Sequence, residues 1–155
     1  METVNTSQCD EQFKYDIAAH TGAENIRQCY SCGTCTAACP VFRIEEGYNP
    51  RKIIHQILLG MRKEVLSSPT IWLCARCYAC TAHCPQSVSF ADIMAVLRDM
   101  AVKEGYAAPD LLEKIQAVSN AAHEFRRDCI NNLTGNTKDD LPENIKKLKE
   151  TIEKI

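Results

Sequence analysis

The cysteines of this chain repeat one spacing twice, as Cys29-x-x-Cys32-x-x-Cys35-x-x-x-Cys39-Pro40 and Cys74-x-x-Cys77-x-x-Cys80-x-x-x-Cys84-Pro85. Eight of the ten cysteines in 155 residues fall in these two runs. Cysteine at about 6% is well above ordinary usage, and either disulfides or metal can account for it. A disulfide scaffold needs an oxidising compartment. The start, Met1-Glu2-Thr3-Val4-Asn5, lacks the basic and apolar regions of a secretory signal, so the expectation is a cytoplasmic chain whose thiolates stay reduced for metal.

Each run matches the bacterial-type ferredoxin pattern, which holds 4Fe-4S clusters. Three cysteines two residues apart let a tight loop wrap one face of a cubane, each thiolate reaching a different iron. The fourth cannot reach the same cube, and in two-cluster ferredoxins it ligates the other cluster. Cys29, Cys32, Cys35 and Cys84 are therefore assigned to one cluster, and Cys74, Cys77, Cys80 and Cys39 to a second. Zinc needs two C-x-x-C pairs and neither the third cysteine, the fourth nor the repeat. Gly33 supplies backbone freedom in the first loop, whereas the second has Tyr78 there and must turn without glycine. Arg76, inside the second loop, is either a charge that raises that cluster's potential or a solvated side chain. Trp72 and Tyr78 are expected to shield the second site from water. With eight thiolates saturating two cubanes, His55 and His123 are read as helix-surface residues and His83 as loop packing. Cys9 and Cys129 lie outside both runs and are read as thiols without a role.

The rest of the chain has helical periodicity. Glu11 to His20 reads as a short amphipathic helix on Phe13, Ile17 and Ala18, ending near Gly22, and residues before Cys9 as loose. Between Cys39 and Cys74, Asn49 can cap and Pro50 suits a first turn. Ile53, Ile54, Ile57, Leu58, Met61 and Val65 then predict one helix up to Ser67-Ser68-Pro69. Another starts near Ser89, with Asp92 three residues on, turns Phe90, Ile93, Met94, Leu97 and Met100 inward, and stops at Gly105. A third runs from Pro109 to about Cys129 on Leu112, Ile115, Val118, Ala122 and Phe125. After a loop from Leu133 to Asp139, Asp140, Pro142 and Glu143 open a last helix whose stripe is Ile145, Leu148, Ile152 and Ile155, and whose Lys146, Lys147 and Lys149 form a solvated face. No stretch alternates with period two, so the class is all-α, with two cluster loops between helices and extra helices at both ends. The division expected is 1–22 as an arm, 23–105 as the dicluster domain and 106–155 as an extension whose last helix packs on the core or docks elsewhere.

A formal net charge of -2 gives no reason to expect nucleic acid or an anionic membrane as partner, and no apolar run is long enough to insert in a bilayer. Two oxidised cubanes on eight thiolates would bring the charge to about -6, which suits basic docking patches. Without glycine-rich nucleotide fingerprints, flavin and NAD belong to partner chains, and the chain has no small-molecule substrate or catalytic residue of its own.

The two runs, the segments Asn49-Pro50-Arg51-Lys52-Ile53-Ile54 and Leu58-Leu59-Gly60-Met61-Arg62 between them, and Ile71-Trp72-Leu73-Cys74 leading into Cys77-Tyr78-Ala79-Cys80 resemble the C subunit of heterodisulfide reductase. The likeness covers roughly Gln28 to Glu104. It implies an α-helical ferredoxin fold, akin to the cluster domain of succinate dehydrogenase and fumarate reductase iron-sulfur subunits. It also implies a non-catalytic, electron-relaying role in methanogenesis, between a flavin-containing A subunit and a B subunit that reduces the mixed disulfide of coenzyme M and coenzyme B. Related proteins serve other dehydrogenases and sulfur-metabolism complexes, some membrane-linked, which is the alternative reading.

Overall fold

In the computed structural model, which describes residues 9–136 and 141–155, every regular element is helical. The expectations for residues before Cys9 and for Asp139 and Asp140 fall outside the described residues. The chain divides into two compact units, one through Ala108 and one from Pro109 on.

The first unit holds six helices: α1 (Phe13–Ala18), α2 (Thr34–Ala37), α3 (Pro50–Leu58), α4 (Arg62–Leu66), α5 (Ala79–Ala82) and α6 (Phe90–Lys103). Its core gathers Phe13 and Ile17 of α1, Ile53, Ile54 and Ile57 of α3, Val65 and Leu66 of α4, and Phe90, Ile93, Met94 and Leu97 of α6. Each such side chain contributes about 1.5–3 kcal/mol by leaving water. The capping at α3 is as the sequence suggests: the Asn49 side chain accepts the Lys52 N–H at 3.1 Å, and Pro50 stands in the first turn.

The single helix expected from Asn49 to Val65 is instead two. α3 ends at Leu58, and Gly60 takes a left-handed φ of +79° before α4 begins. Asp10 donates its N–H to the Gly60 carbonyl at 2.7 Å, and a Cβ on residue 60 would stand 2.4 Å from the Asp10 carbonyl oxygen. An apolar stripe continues across such a break because two short helices on one core bury the same face as one long helix. Arg62, the first residue of α4, ties three elements. Its Nη1 meets Asp10 at 2.9 Å and Asp16 at 2.6 Å, its Nη2 meets Glu104 at 2.7 Å, and its guanidinium lies 5.3 Å from the Phe13 ring centre. At α6 the Ser89 hydroxyl donates to the Asp92 carboxylate instead of capping the backbone, and Gly105 follows the helix at φ +77°.

The second unit pairs α7 (Leu111–Leu133) with α8 (Leu141–Ile152). α7 starts two residues after Pro109 and continues past Cys129 to Leu133. The stripes differ from those expected. Leu112, Val118 and Ala122 are exposed, Ile115 and Phe125 are half-buried, and the buried residue of α7 is Ala121. On α8, Ile145 and Ile152 are exposed while Asn144 is buried, and Leu148 and the terminal Ile155 are half-buried. Two helices in contact cover a narrow seam on each, and a stripe wide enough for a globular core overflows it. Lys146, Lys147 and Lys149 are exposed.

Candidate metal centre

Both cysteine runs adopt one local structure. A short 3-10 turn (Glu24–Gln28 or Pro69–Leu73) leads into an extended cysteine, Cys29 at φ -66°, ψ 119° or Cys74 at φ -61°, ψ 118°. Two left-handed residues follow in alternate positions, Ser31 and Gly33 at φ 59° and 85°, Arg76 and Tyr78 at φ 49° and 60°. The chain then enters α2 or α5, which carries the third cysteine, Cys35 or Cys80. Alternating handedness curls the chain around its own thiols and frees amide donors for them; the Ser31 N–H donates to Cys29 Sγ at 3.4 Å. Tyr78 makes the left-handed turn without glycine, at a cost of about 1–2 kcal/mol. Its hydroxyl holds it there, donating to Asp92 Oδ1 at 2.8 Å and accepting from Arg76 at 3.3 Å.

The residue after the third cysteine anchors each loop to the next long helix. Thr36 Oγ1 donates to Asn49 Oδ1 and accepts the Arg51 N–H, both at 3.0 Å, so α2 is bound to the cap of α3. Thr81 and Ser89 share a hydrogen bond at 3.2 Å, binding α5 to the start of α6 in the same way.

These loops bring the cysteines into two groups of four. A recess of about 340 Å³ is lined by Cys29, Cys32, Cys35 and Cys84, together with Gly33 and Arg51. A second, of about 290 Å³, is lined by Cys39, Cys74, Cys77 and Cys80, together with Tyr48, Arg76 and Tyr78. The fourth cysteine of each run therefore lies among the first three of the other. Among the described residues no three His, Cys, Asp or Glu side chains gather tightly enough for a single metal ion. Four sulfurs spread around a recess are the arrangement a cubane requires, with one thiolate per iron. Cys32 and Cys77 are exposed, while Cys39 and Cys80 are buried. Burial pushes the Cys80 thiol up to about 11 and the Cys35 thiol upward, so at neutral pH iron would have to displace their protons. Cys32 is lowered, chiefly by the Thr34 side chain 3.3 Å from its sulfur, and is the readier thiolate.

Two further groups show that the second recess fits an anionic cluster. The Tyr48 hydroxyl is buried without a hydrogen-bond partner. Arg98 is 6% exposed; its Nε donates to the Ile71 carbonyl at 2.9 Å, and its Nη2 to those of Trp72 and Cys74 at 3.0 and 2.9 Å. No carboxylate pairs with it among the described residues. A lone buried donor and an uncompensated buried cation are each costly, and negatively charged sulfur beside them relieves both.

Sequence reading passed over both residues. Arg98 had a signal: at spacings of four and three from Met94 and Ala101, it stands on the buried face of α6 where an apolar residue is the rule. Tyr48 had none, since a tyrosine before an Asn-Pro helix start suggests a surface turn as readily as a core. His55 and His123 are exposed as expected, but so is His83, which was expected to pack in its loop. Trp72 is half-buried with its ring centre 5.9 Å from the Arg98 guanidinium, and Arg76 is exposed beside Tyr78. Cys9 and Cys129 are half-buried and line neither recess.

Residues 25–88 match a family model described as a 4Fe-4S dicluster domain. The C subunit of an H(2):CoB-CoM heterodisulfide,ferredoxin reductase from Methanothermobacter marburgensis is 38% identical over 100 residues, covering 64% of this chain and 53% of the relative. The C subunit of a ferredoxin:CoB-CoM heterodisulfide reductase from Methanosarcina mazei is 32% identical over 139 residues, 84% of this chain and 81% of the relative. This chain belongs to the family of heterodisulfide reductase C subunits. A heterodisulfide reductase C-subunit-like protein from Archaeoglobus profundus is 34% identical over 109 residues, 70% of this chain and 57% of the relative. The chain spans about half the length of the Methanothermobacter C subunit it matches. The dicluster match takes in both cysteine loops, α2 to α5 and the residues up to the start of α6. No helix among its described residues is long and apolar enough to cross a membrane.

Proposed function

We propose that this chain is an electron-carrying, non-catalytic member of a heterodisulfide reductase complex in the cytoplasm. It takes electrons from a flavin-containing A subunit and passes them to a B subunit that reduces the CoB-CoM heterodisulfide. Cys29, Cys32, Cys35 and Cys84 hold one 4Fe-4S cluster, and Cys74, Cys77, Cys80 and Cys39 hold the other. The observation that carries this is the exchange of fourth cysteines between the two recesses, which gives each four thiols and seats the sites side by side. The names of the relatives support the choice of complex.

The clusters supply one-electron storage when bound. The protein's part is to hold the thiols in place, keep water from Cys39 and Cys80, and leave Cys32 and Cys77 at the surface, so that each site has an edge open to a partner. The cluster-bearing part is assigned to residues 23–105, with 1–22 as its arm and 106–155 as its extension.

Anaerobic purification from native cells tests the reading. The expected result is about eight iron and eight sulfide per chain, with a flavoprotein and a cysteine-rich catalytic chain copurifying. A count near four, zinc in place of iron, or a membrane anchor as the companion overturns it. Cys39→Ala should abolish the cluster of Cys74, Cys77 and Cys80 and spare the other; loss of the Cys29 cluster instead refutes the exchange.

A further inference from the structure

We propose that Tyr48 and Arg98 act together to raise the reduction potential of the site formed by Cys39, Cys74, Cys77 and Cys80, through a hydroxyl donated to its sulfur and a buried positive charge. This rests on the ligand grouping given above. Tyr48 is 1% exposed and lines that recess, and its hydroxyl has no hydrogen-bond partner among the described residues. A phenol trapped beside sulfur with no other acceptor donates to that sulfur.

Arg98 adds fixed charge. Its three carbonyl partners hold it in place without neutralising it. Reduction adds one electron and one negative charge to the site and makes or breaks no bond. A hydrogen-bond donor and a buried cation both favour that added charge, and both are recognised levers on cluster potential. The other recess has amide N–H groups on Cys29 and Cys84, at 3.4 and 3.3 Å, and the Thr34 hydroxyl on Cys32. Its arginine, Arg51, is exposed. Among the described residues the buried phenol lines the second recess and not the first, and the buried guanidinium holds the carbonyl of its Cys74.

The test is a redox titration of the whole chain, purified anaerobically with its iron counted, followed by electron paramagnetic resonance. Cys32→Ser and Cys77→Ser each perturb one signal and so assign the two. Tyr48→Phe keeps the shape of the buried ring and should make the second site about tenfold harder to reduce, about 59 mV for a one-electron couple, while the first stays put. Arg98→Gln should shift the same signal in the same direction, and Arg98→Lys, which keeps the charge, should restore most of it. Should Arg98→Gln fail to load the second cluster, Tyr48→Phe decides alone. An unmoved second signal in Tyr48→Phe with full iron, or an equal shift of both signals, overturns the tuning and leaves the ligand grouping intact. Fewer than two clusters in the unmutated chain overturns the grouping and the tuning with it.

Discussion

Gly33 and Tyr78 occupy equivalent places in their loops, both left-handed, and differ in how the conformation is maintained. Glycine adopts it without cost, whereas tyrosine needs its hydroxyl held by Asp92 and Arg76. The sequence shows that the second loop turns without glycine but not what restrains it, because Asp92 lies on another helix. Gly60 is the stricter position: its φ is +79°, and the Asp10 carbonyl stands where a side chain would begin. Gly60→Ala combines backbone strain with a clash against backbone and should destabilise the first unit by about 2 kcal/mol or more. Urea unfolding followed by circular dichroism checks this, and an unchanged midpoint would mean that Asp10 is not held at that distance.

At the scale of elements, the helices after Asn49 and near Ser89 could be placed from their apolar spacing and start residues, whereas the end of the first could not. α3 stops because Asp10, from a distant part of the chain, occupies the space beside Gly60, a fact that no local window contains. The stripes of α7 and α8 were misjudged for a related reason: periodicity shows which residues could be buried together, and the number of neighbouring elements decides how many are. Arg62 links α1 and the residues before it, the beginning of α4 and the residue after α6. Its side chain is a quarter exposed, so Arg62→Ala should cost about 1–2 kcal/mol through lost ion pairs and lost contact with Phe13. The difference should shrink in high salt, since screening weakens the pairs and leaves the packing; thermal melts at two ionic strengths measure both parts.

At the scale of the whole chain there are two units, one whose core contains the cysteine recesses and one that pairs α7 with α8. Cys39 and Cys80 belong to the apolar core of the first unit, with Cys29, Cys35, Cys74 and Cys84 packed against it, so the sites and the core are one structure. Removing iron anaerobically with a chelator should therefore loosen the first unit, because metal binding and folding are coupled in so small a core. The helices of the second unit, which carry none of the recess cysteines, should persist. Hydrogen exchange distinguishes the two, with protection lost on α1 to α6 and kept on α7. Loss of protection in both units would show that the pair depends on the sites.

By itself the sequence determined the helical class, the two loops and the eight cysteines that line the recesses, because cluster-loop spacing and helical periodicity are local properties of the chain. The tertiary structure decided where α3 breaks, which face of α7 is covered, and that a tyrosine far from Cys74 in the chain lines its recess while an arginine of α6 holds the Cys74 carbonyl. Those outcomes depend on which distant segment occupies a given space, and packing settles that only when the whole chain has folded.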